Sequence, residues 1–272
     1  MTQNLSVLSD TKIMGIINAN DDSFFEASRF KGDDAIFKIN SMIGEGAHII
    51  DIGGVSTKPG SVEISAEEEL ARIKPICDII SQQKLYTKAL FSIDSYTPLV
   101  IEYALNSGFS IVNDITGLEH DEVAKITAKY DATIIIMHMQ GEPQTMQNNP
   151  CYEDVVTDVH HFFEERINKA KKFGINKIIL DVGIGFGKTL EHNLLLLKNM
   201  NLFLDFGYEI LIAASRKSMI DKITPSVPKE RLSGTLAIHL DSVRRGATLV
   251  RCHDVKEHHQ ALKVQEAINN IR

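Results

Sequence analysis

The chain has 272 residues, 43% of them apolar and 24% charged, with a formal net charge of −7. That balance can bury a sizeable core and fits one large α/β barrel or two ordinary domains. It disfavours a nucleic-acid binder, which carries a clustered basic face. A locally positive pocket for small anionic substrates stays open.

The N-terminal run MTQNLSVLSDTK lacks the basic start and apolar stretch of a signal peptide, and no apolar run has the length to span a bilayer. Cys77, Cys151 and Cys252 are isolated, lack metal-ligand spacing and read as buried or partly buried reduced thiols. A cytoplasmic location is therefore expected, with neither membrane nor nucleic acid as a partner. No linker, low-complexity tract or shift of composition interrupts the chain, so residues 1–272 are expected to form a single domain.

In chain order, short apolar runs ending in polar residues alternate with longer amphipathic segments. The strand candidates are 12–18, 47–52, 89–94, 110–115, 133–138, 177–181, 209–215 and 248–252. The helical patterns run over 33–45, 66–81, 98–107, 122–130, 152–173, 190–204, 229–245 and 255–271. Eight β-then-α units point to a closed parallel (β/α)8 barrel, whose strands are apolar along most of their length because both faces are covered. Gly46, Gly108, Gly174 and Gly246 stand between a helical pattern and the next strand, where a helix C-terminus uses glycine.

Barrel enzymes build their sites at the C-terminal ends of the strands. Those ends carry Asn18, Asp51, Asp94, Asn113-Asp114, Met137-His138, Asp181, Ser215-Arg216-Lys217 and Arg251-Cys252-His253. Any one of them could simply cap a helix or satisfy a turn. Their presence on all eight strands argues for a site. Asp94, Asn113, Asp181 and Lys217 offer the donors and acceptors that a flat heterocycle with amide and amine edges requires, and Met137 and Phe186 are candidate apolar faces for its ring. Arg251 and His253 leave the last strand one residue apart, a planar fork and a further donor for phosphate oxygens. The alternative for Arg251 is an ion pair with Asp254.

The segment Asp181–Thr189, DVGIGFGKT, ends like a nucleotide-binding P-loop, but its glycine spacing does not satisfy G-x-x-x-x-G-K-[ST]. Its glycines are expected to let the backbone pass close to a flat ligand. The histidines show no zinc-like pairing; His160-His161 and His258-His259 fall in helical patterns and are expected at the surface.

Taken together, MGIIN (14–18), GAHIIDIGGVSTKPGS (46–61), SIDSY (92–96), IVNDITGL (111–118), LDVGIGFGKTLEHNLLLL (180–197), SRKS (215–218) and the run ending VRCHDVKEH (234–258) resemble the dihydropteroate synthases. The resemblance covers about Ile13 to Val264. It implies a barrel transferase that joins 6-hydroxymethyl-7,8-dihydropterin pyrophosphate to p-aminobenzoate, releasing pyrophosphate and 7,8-dihydropteroate, in a homodimer that is the sulfonamide target.

In that family the pterin lies on residues matching Asp94, Asn113, Asp181 and Lys217, beside Met137 and Phe186. The pyrophosphate lies on residues matching Asn18, Arg251 and His253, with Mg²⁺ near Asn18. Thr57, Lys58 and Ser218 match the aminobenzoate side, and Phe24 and Glu26 lie in a loop that closes over the substrates. Asp94, Lys217, Arg251 and His253 are the expected catalytic groups, without a covalent nucleophile.

The sequence departs from the family in its first loop, where Pro is lost and Asn20 and Glu26 replace Thr and Asp. In the second loop Lys58 replaces Arg. A silent pterin-binding paralogue is the alternative that these loops motivate. A methyltetrahydrofolate-binding methyltransferase domain would share the barrel but has no reason to keep Arg251, His253 and the 56–60 loop.

Overall fold

The computed structural model describes residues 11–19, 33–55 and 64–271, with only the backbone of Asp33 and Asp34. Its strands are β1 (Lys12–Asn18), β2 (Ile49–Gly53), β3 (Leu90–Asp94), β4 (Ile111–Asp114), β5 (Thr133–Met137), β6 (Ile178–Asp181), β7 (Glu209–Ile212) and β8 (Leu249–Cys252). All pair in parallel and in sequence order, and β8 returns to β1 to close the barrel. The helices are α1 (Asp33–Gly44), α2 (Ala66–Gln82), α3 (Pro98–Asn106), α4 (Asp121–Lys129), α5 (Val155–Lys172), α6 (Leu190–Lys198), α7 (Ser218–Ile223), α8 (Leu232–Arg244) and α9 (Val255–Asn270).

The two-residue period of a strand explains where core ends and site begins. Met14, Ile49, Ile111, Ile135, Ile179, Leu211 and Leu249 form one buried cluster, and register aligns neighbours such as Ile135 with Ile179 and Leu211 with Leu249. Two residues further along the same face stand Asp51, Asn113, Met137, Asp181 and Arg251. The intervening Ile50, Val112, Ile136, Leu180 and Val250 belong to the larger cluster under the helices. An apolar plug thus fills the barrel one layer beneath the polar strand ends. The Lys12–Glu209 ion pair at 2.8 Å links the N-terminal ends of β1 and β7.

Helix starts follow local chemistry. Ser65 accepts from the Glu68 amide at 3.2 Å, and Asp154 accepts from the Thr157 amide at 2.8 Å, so α5 begins at Val155 and not at Tyr152 as its pattern suggests. Thr189 and His192 cap α6 reciprocally. The pattern over 190–204 breaks after Lys198, where the Asn199 side chain donates to Leu195 O at 2.9 Å and the chain tightens into a 3₁₀ helix over Met200–Phe206. The pattern over 229–245 likewise starts late, because Pro228 opens a 3₁₀ turn that Arg231 holds through Ser226 O. Helix α7 is not marked by the sequence pattern. Gly46, Gly108, Gly174 and Gly246 all have positive φ, as expected of helix-ending glycines.

Two burial expectations are corrected. Cys77 and Cys252 are buried, but Cys151 is exposed, since it lies on the loop between β5 and α5. His258 is buried, not at the surface, because its ring turns toward α8 and meets His239.

Candidate active site

The strand ends converge on a buried charge cluster. Arg251 lies across the mouth of the barrel, donating from Nε to Asp51 Oδ2 and from Nη2 to Asp94 Oδ2, both at 2.6 Å. Asn113 Nδ2 reaches the same Asp51 oxygen at 3.2 Å. Asp51 is fully buried, and among the described residues its Oδ1 has no partner. Burial pushes the Asp94 carboxyl up to about 7; Arg251 opposes the rise, while Asp51 and Glu69 add to it. The sequence did not single out Asp51, because an Asp ending a strand equally well caps a turn. Asp114 does so, accepting from Thr116 and Leu118 amides at 2.8 and 2.9 Å. Asp51, Asn113 and Asp181 share one spacing, an apolar plug residue two positions before, but Asp114 follows Val112 in the same way, so only the register of the barrel separates them.

Asp181 is buried, held from one side by the Gly183 amide at 2.8 Å, and burial raises its carboxyl. Lys217 donates to Ile184 O and stands 4.3 Å from the Phe186 ring centroid. Burial lowers its ammonium to about 8, with Asp181 resisting the fall. Met137 is buried beside Asp181 in the β5–β6 register. Asn18 ends β1 opposite Gly53. His253 is brought down to about 4 by burial and the nearby Arg251 and Arg216, so its ring is neutral. Its Nδ1 lies 2.8 Å from Ser215 Oγ, which also accepts from the His253 amide at 3.3 Å. In the tautomer whose Nδ1 accepts from the serine hydroxyl, Nε2–H is the ring's donor. Ser218 is exposed at the start of α7. Phe24, Glu26, Thr57 and Lys58 lie outside the described residues.

Two readings of the strand ends change. Asp254 does pair with an arginine, but with Arg216 (Nε to Oδ2 at 3.1 Å), which leaves Arg251 to the barrel mouth. The glycines of 181–189 serve the packing of two loops more than a ligand. A Cβ at Gly183 would stand 1.8 Å from His138 O, and one at Gly187 2.2 Å from Gln140 O, with φ of 66° and 62°. Only Gly185 faces Lys217.

The lysine of the false P-loop turns beneath its own loop. Lys188 Nζ contacts His138 Nδ1 at 2.9 Å, His138 O at 3.2 Å, Gly183 O at 3.0 Å and Phe186 O at 2.9 Å. Gln147 donates to Gly185 O at 2.6 Å and Tyr152 to Gly187 O at 2.8 Å. With Lys217 on Ile184 O, every carbonyl from 183 to 187 is taken.

A closed barrel whose mouth gathers three carboxylates, an amide, a lysine and an arginine suits a polar heterocycle carrying an anionic group, and residues 14–253 match the pterin binding enzyme family. The dihydropteroate synthase of Haemophilus influenzae is 41% identical over 97% of this chain and 96% of its own. The Yersinia pestis dihydropteroate synthase, solved as a sulfonamide drug complex, superposes with a TM-score of 0.91 at 36% identity, over 97% of this chain and 96% of that one. The Xanthomonas albilineans enzyme with 4-aminobenzoic acid gives 0.90 at 33% identity, over 97% and 95% of the two chains. The chain belongs to the dihydropteroate synthases, transferases of folate synthesis within the pterin-binding family. Among the described residues no helix is long and apolar enough to cross a membrane.

Proposed function

We propose that the Arg251-centred cluster is the seat of the dihydropteroate synthase reaction, condensing 6-hydroxymethyl-7,8-dihydropterin pyrophosphate with p-aminobenzoate. The observation that carries this assignment is the convergence of Asp94, Asn113, Asp181 and Lys217 on one buried mouth, with a single arginine tied to two of its carboxylates. Asp94, Asn113 and Asp181 accept from and orient the pterin edge, Lys217 donates to a ring nitrogen or oxygen, and Met137 and Phe186 flank the ring. Pyrophosphate takes the Arg251 fork and the Nε2–H of His253, drawing the guanidinium off its carboxylates.

As the C–O bond to pyrophosphate breaks, positive charge grows on the pterin methylene, and Asp94, newly freed, stabilises it. Arg251 and His253 hold the charge of the leaving group. The aromatic amine of p-aminobenzoate then attacks the methylene and loses a proton to solvent. Positioning and charge stabilisation carry the rate, with no covalent intermediate. Thr57, Lys58 and Ser218 take the aminobenzoate, the site at which sulfonamides compete, and Phe24 and Glu26 belong to the closing loop.

Mg²⁺ fits this chemistry in a particular way. Among the described residues no group of His, Cys, Asp or Glu could hold an ion alone, whereas Asn18 offers a hard amide oxygen. Mg²⁺ commonly takes one or two protein oxygens together with substrate phosphates. Asn18 would hold it jointly with the pyrophosphate, where it would supply neutralisation of the leaving-group charge. A second copy of this chain is the proposed macromolecular partner. Exposed Leu194, Leu195, Leu202, Leu204 and Ile223 along α6, the following 3₁₀ helix and α7 support it, and light scattering tests it.

The assignment is tested by turnover of labelled p-aminobenzoate with Mg²⁺ and pterin pyrophosphate. Asp94→Asn and Arg251→Ala are each expected to lower kcat strongly in a folded protein; unchanged rates would place the site elsewhere.

A further inference from the structure

We propose that His239 and His258 are positioning residues, a hydrogen-bonded two-ring relay that sets the ends of β7 and β8, and with them Lys217, Arg251 and His253, for transfer. Both rings are 1% exposed. The Ala214 amide donates to His239 Nε2 at 3.1 Å. A backbone N–H only donates, so Nε2 is bare and the His239 proton sits on Nδ1. That Nδ1 lies 2.9 Å from His258 Nε2, which must accept. The His258 proton is then on its own Nδ1, donating to Asp254 O at 2.7 Å. Each ring is fixed as the Nδ1–H tautomer by its neighbours.

The relay spans α8 and α9 and ends on both catalytic segments. Ala214 leads into Ser215-Arg216-Lys217, and Asp254 follows His253. Arg216 holds a left-handed backbone, φ 58°, uncommon for a residue with a Cβ. It is kept there by the Asp254 carboxylate on its guanidinium and by Thr235 Oγ1, which accepts from its amide at 3.0 Å. The Ser215–His253 bond joins the same two segments inside the mouth. An apolar pair of equal volume would fill the space yet strand the Ala214 amide and leave the Asp254 carbonyl only the amide of residue 258.

A third proton does not fit. On His239 Nε2 it would face the Ala214 N–H; on His258 Nε2 it would face the His239 N–H. Burial, His258 and Lys217 keep His239 neutral; burial lowers His258 too, although Asp254 and Glu257 pull it upward.

The test combines spectroscopy on the unaltered full chain with kinetics, and rests on the pyrophosphate reading of Arg251 and His253. Long-range ¹⁵N–¹H spectra should show both rings as Nδ1–H tautomers, and saturating inorganic pyrophosphate should shift their ring nitrogens. His239→Phe should lower kcat about 10- to 100-fold, the scale of a misplaced catalytic group. The double variant His239→Phe/His258→Phe should lose no more than either single, because the rings act as a unit. An Nε2–H tautomer at His239, unshifted rings at saturation, or kcat within twofold of the parent overturns the relay, and the first two hold even if the variants do not fold. Arg251→Ala separates the failures. If its rate is retained, the pyrophosphate reading falls; if its rate is lost while His239→Phe is unaffected, the relay alone falls.

Discussion

Arg251→Ala should destabilise the fold by an amount that depends on pH, in a direction the site dictates. The guanidinium is the partner of two carboxylates, Asp51 with none of its side chain exposed and Asp94 with 13%. Leaving a buried charge without its partner costs about 3–5 kcal/mol, which for a chain of this size corresponds to a fall in Tm of roughly 5–9 °C. The unfolded Asp94 titrates near the ordinary 3.8 and the folded one near 7, so the folded state binds the extra proton between those values. Stability contributed by that proton is lost as pH rises through the folded pKa. Without Arg251 the folded value climbs further, because the arginine is what holds it down. The Tm deficit of the variant should therefore be largest near pH 8.5 and shrink by pH 6, where Asp94 is protonated. Thermal melts of parent and variant at the two pH values measure this. A deficit that is equal at both, or that grows in acid, would refute the account of the cluster.

Three other outcomes follow from the same geometry. If Asp94 works ionised and Lys217 protonated, kcat/KM should fall as pH drops through about 7 and again as it rises through about 8, a narrow bell readable from pH 5.5 to 10; a flat profile would remove both groups from the mechanism. Lys188→Met leaves His138 O, His138 Nδ1 and Phe186 O without their shared donor, offset in part by the cation no longer buried, and should cost about 2–4 kcal/mol in urea unfolding. Asn18→Ala should abolish most of the Mg²⁺ enhancement of pyrophosphate binding in calorimetry while sparing binding of the pterin alone; equal enhancement in both proteins would take the ion away from β1.

The barrel and most of its mouth were legible because one rule, the alternation of side chains along a strand, governs both. Ile-Ile-Asp in β2, Ile-Val-Asn in β4 and Ile-Leu-Asp in β6 each write plug, helix-facing core and site in three letters. What the sequence left ambiguous depends on which neighbour arrives from far along the chain. Asp51 and Asp114 look alike locally, yet one meets Arg251, 200 residues away, and the other folds back on Thr116. His258 sits among charged helix residues and looks exposed until α8 packs against it. The Gly-Lys-Thr at 187–189 suggests a phosphate cradle, and only the proximity of His138 shows that the lysine points inward. Element ends slipped by a few residues where a side chain claimed a backbone group, as Asn199 and Asp154 do.

The internal donors on the carbonyls of the 183–187 loop have a consequence for ligand choice. A heterocycle entering beside Asp181 meets a wall whose carbonyls each already accept a side-chain donor, Lys217 on Ile184 O among them. On the proposed assignment its N–H groups turn to Asp94, Asn113 and Asp181, whose acceptor count is small. Analogues that trade an exocyclic amine for a carbonyl would then set acceptor against carboxylate and be refused. Inhibitors that keep the amine but vary the ring's far edge would be admitted. On that assignment selectivity at this mouth rests on three side chains, beside a loop whose carbonyls are already engaged by the protein's own donors.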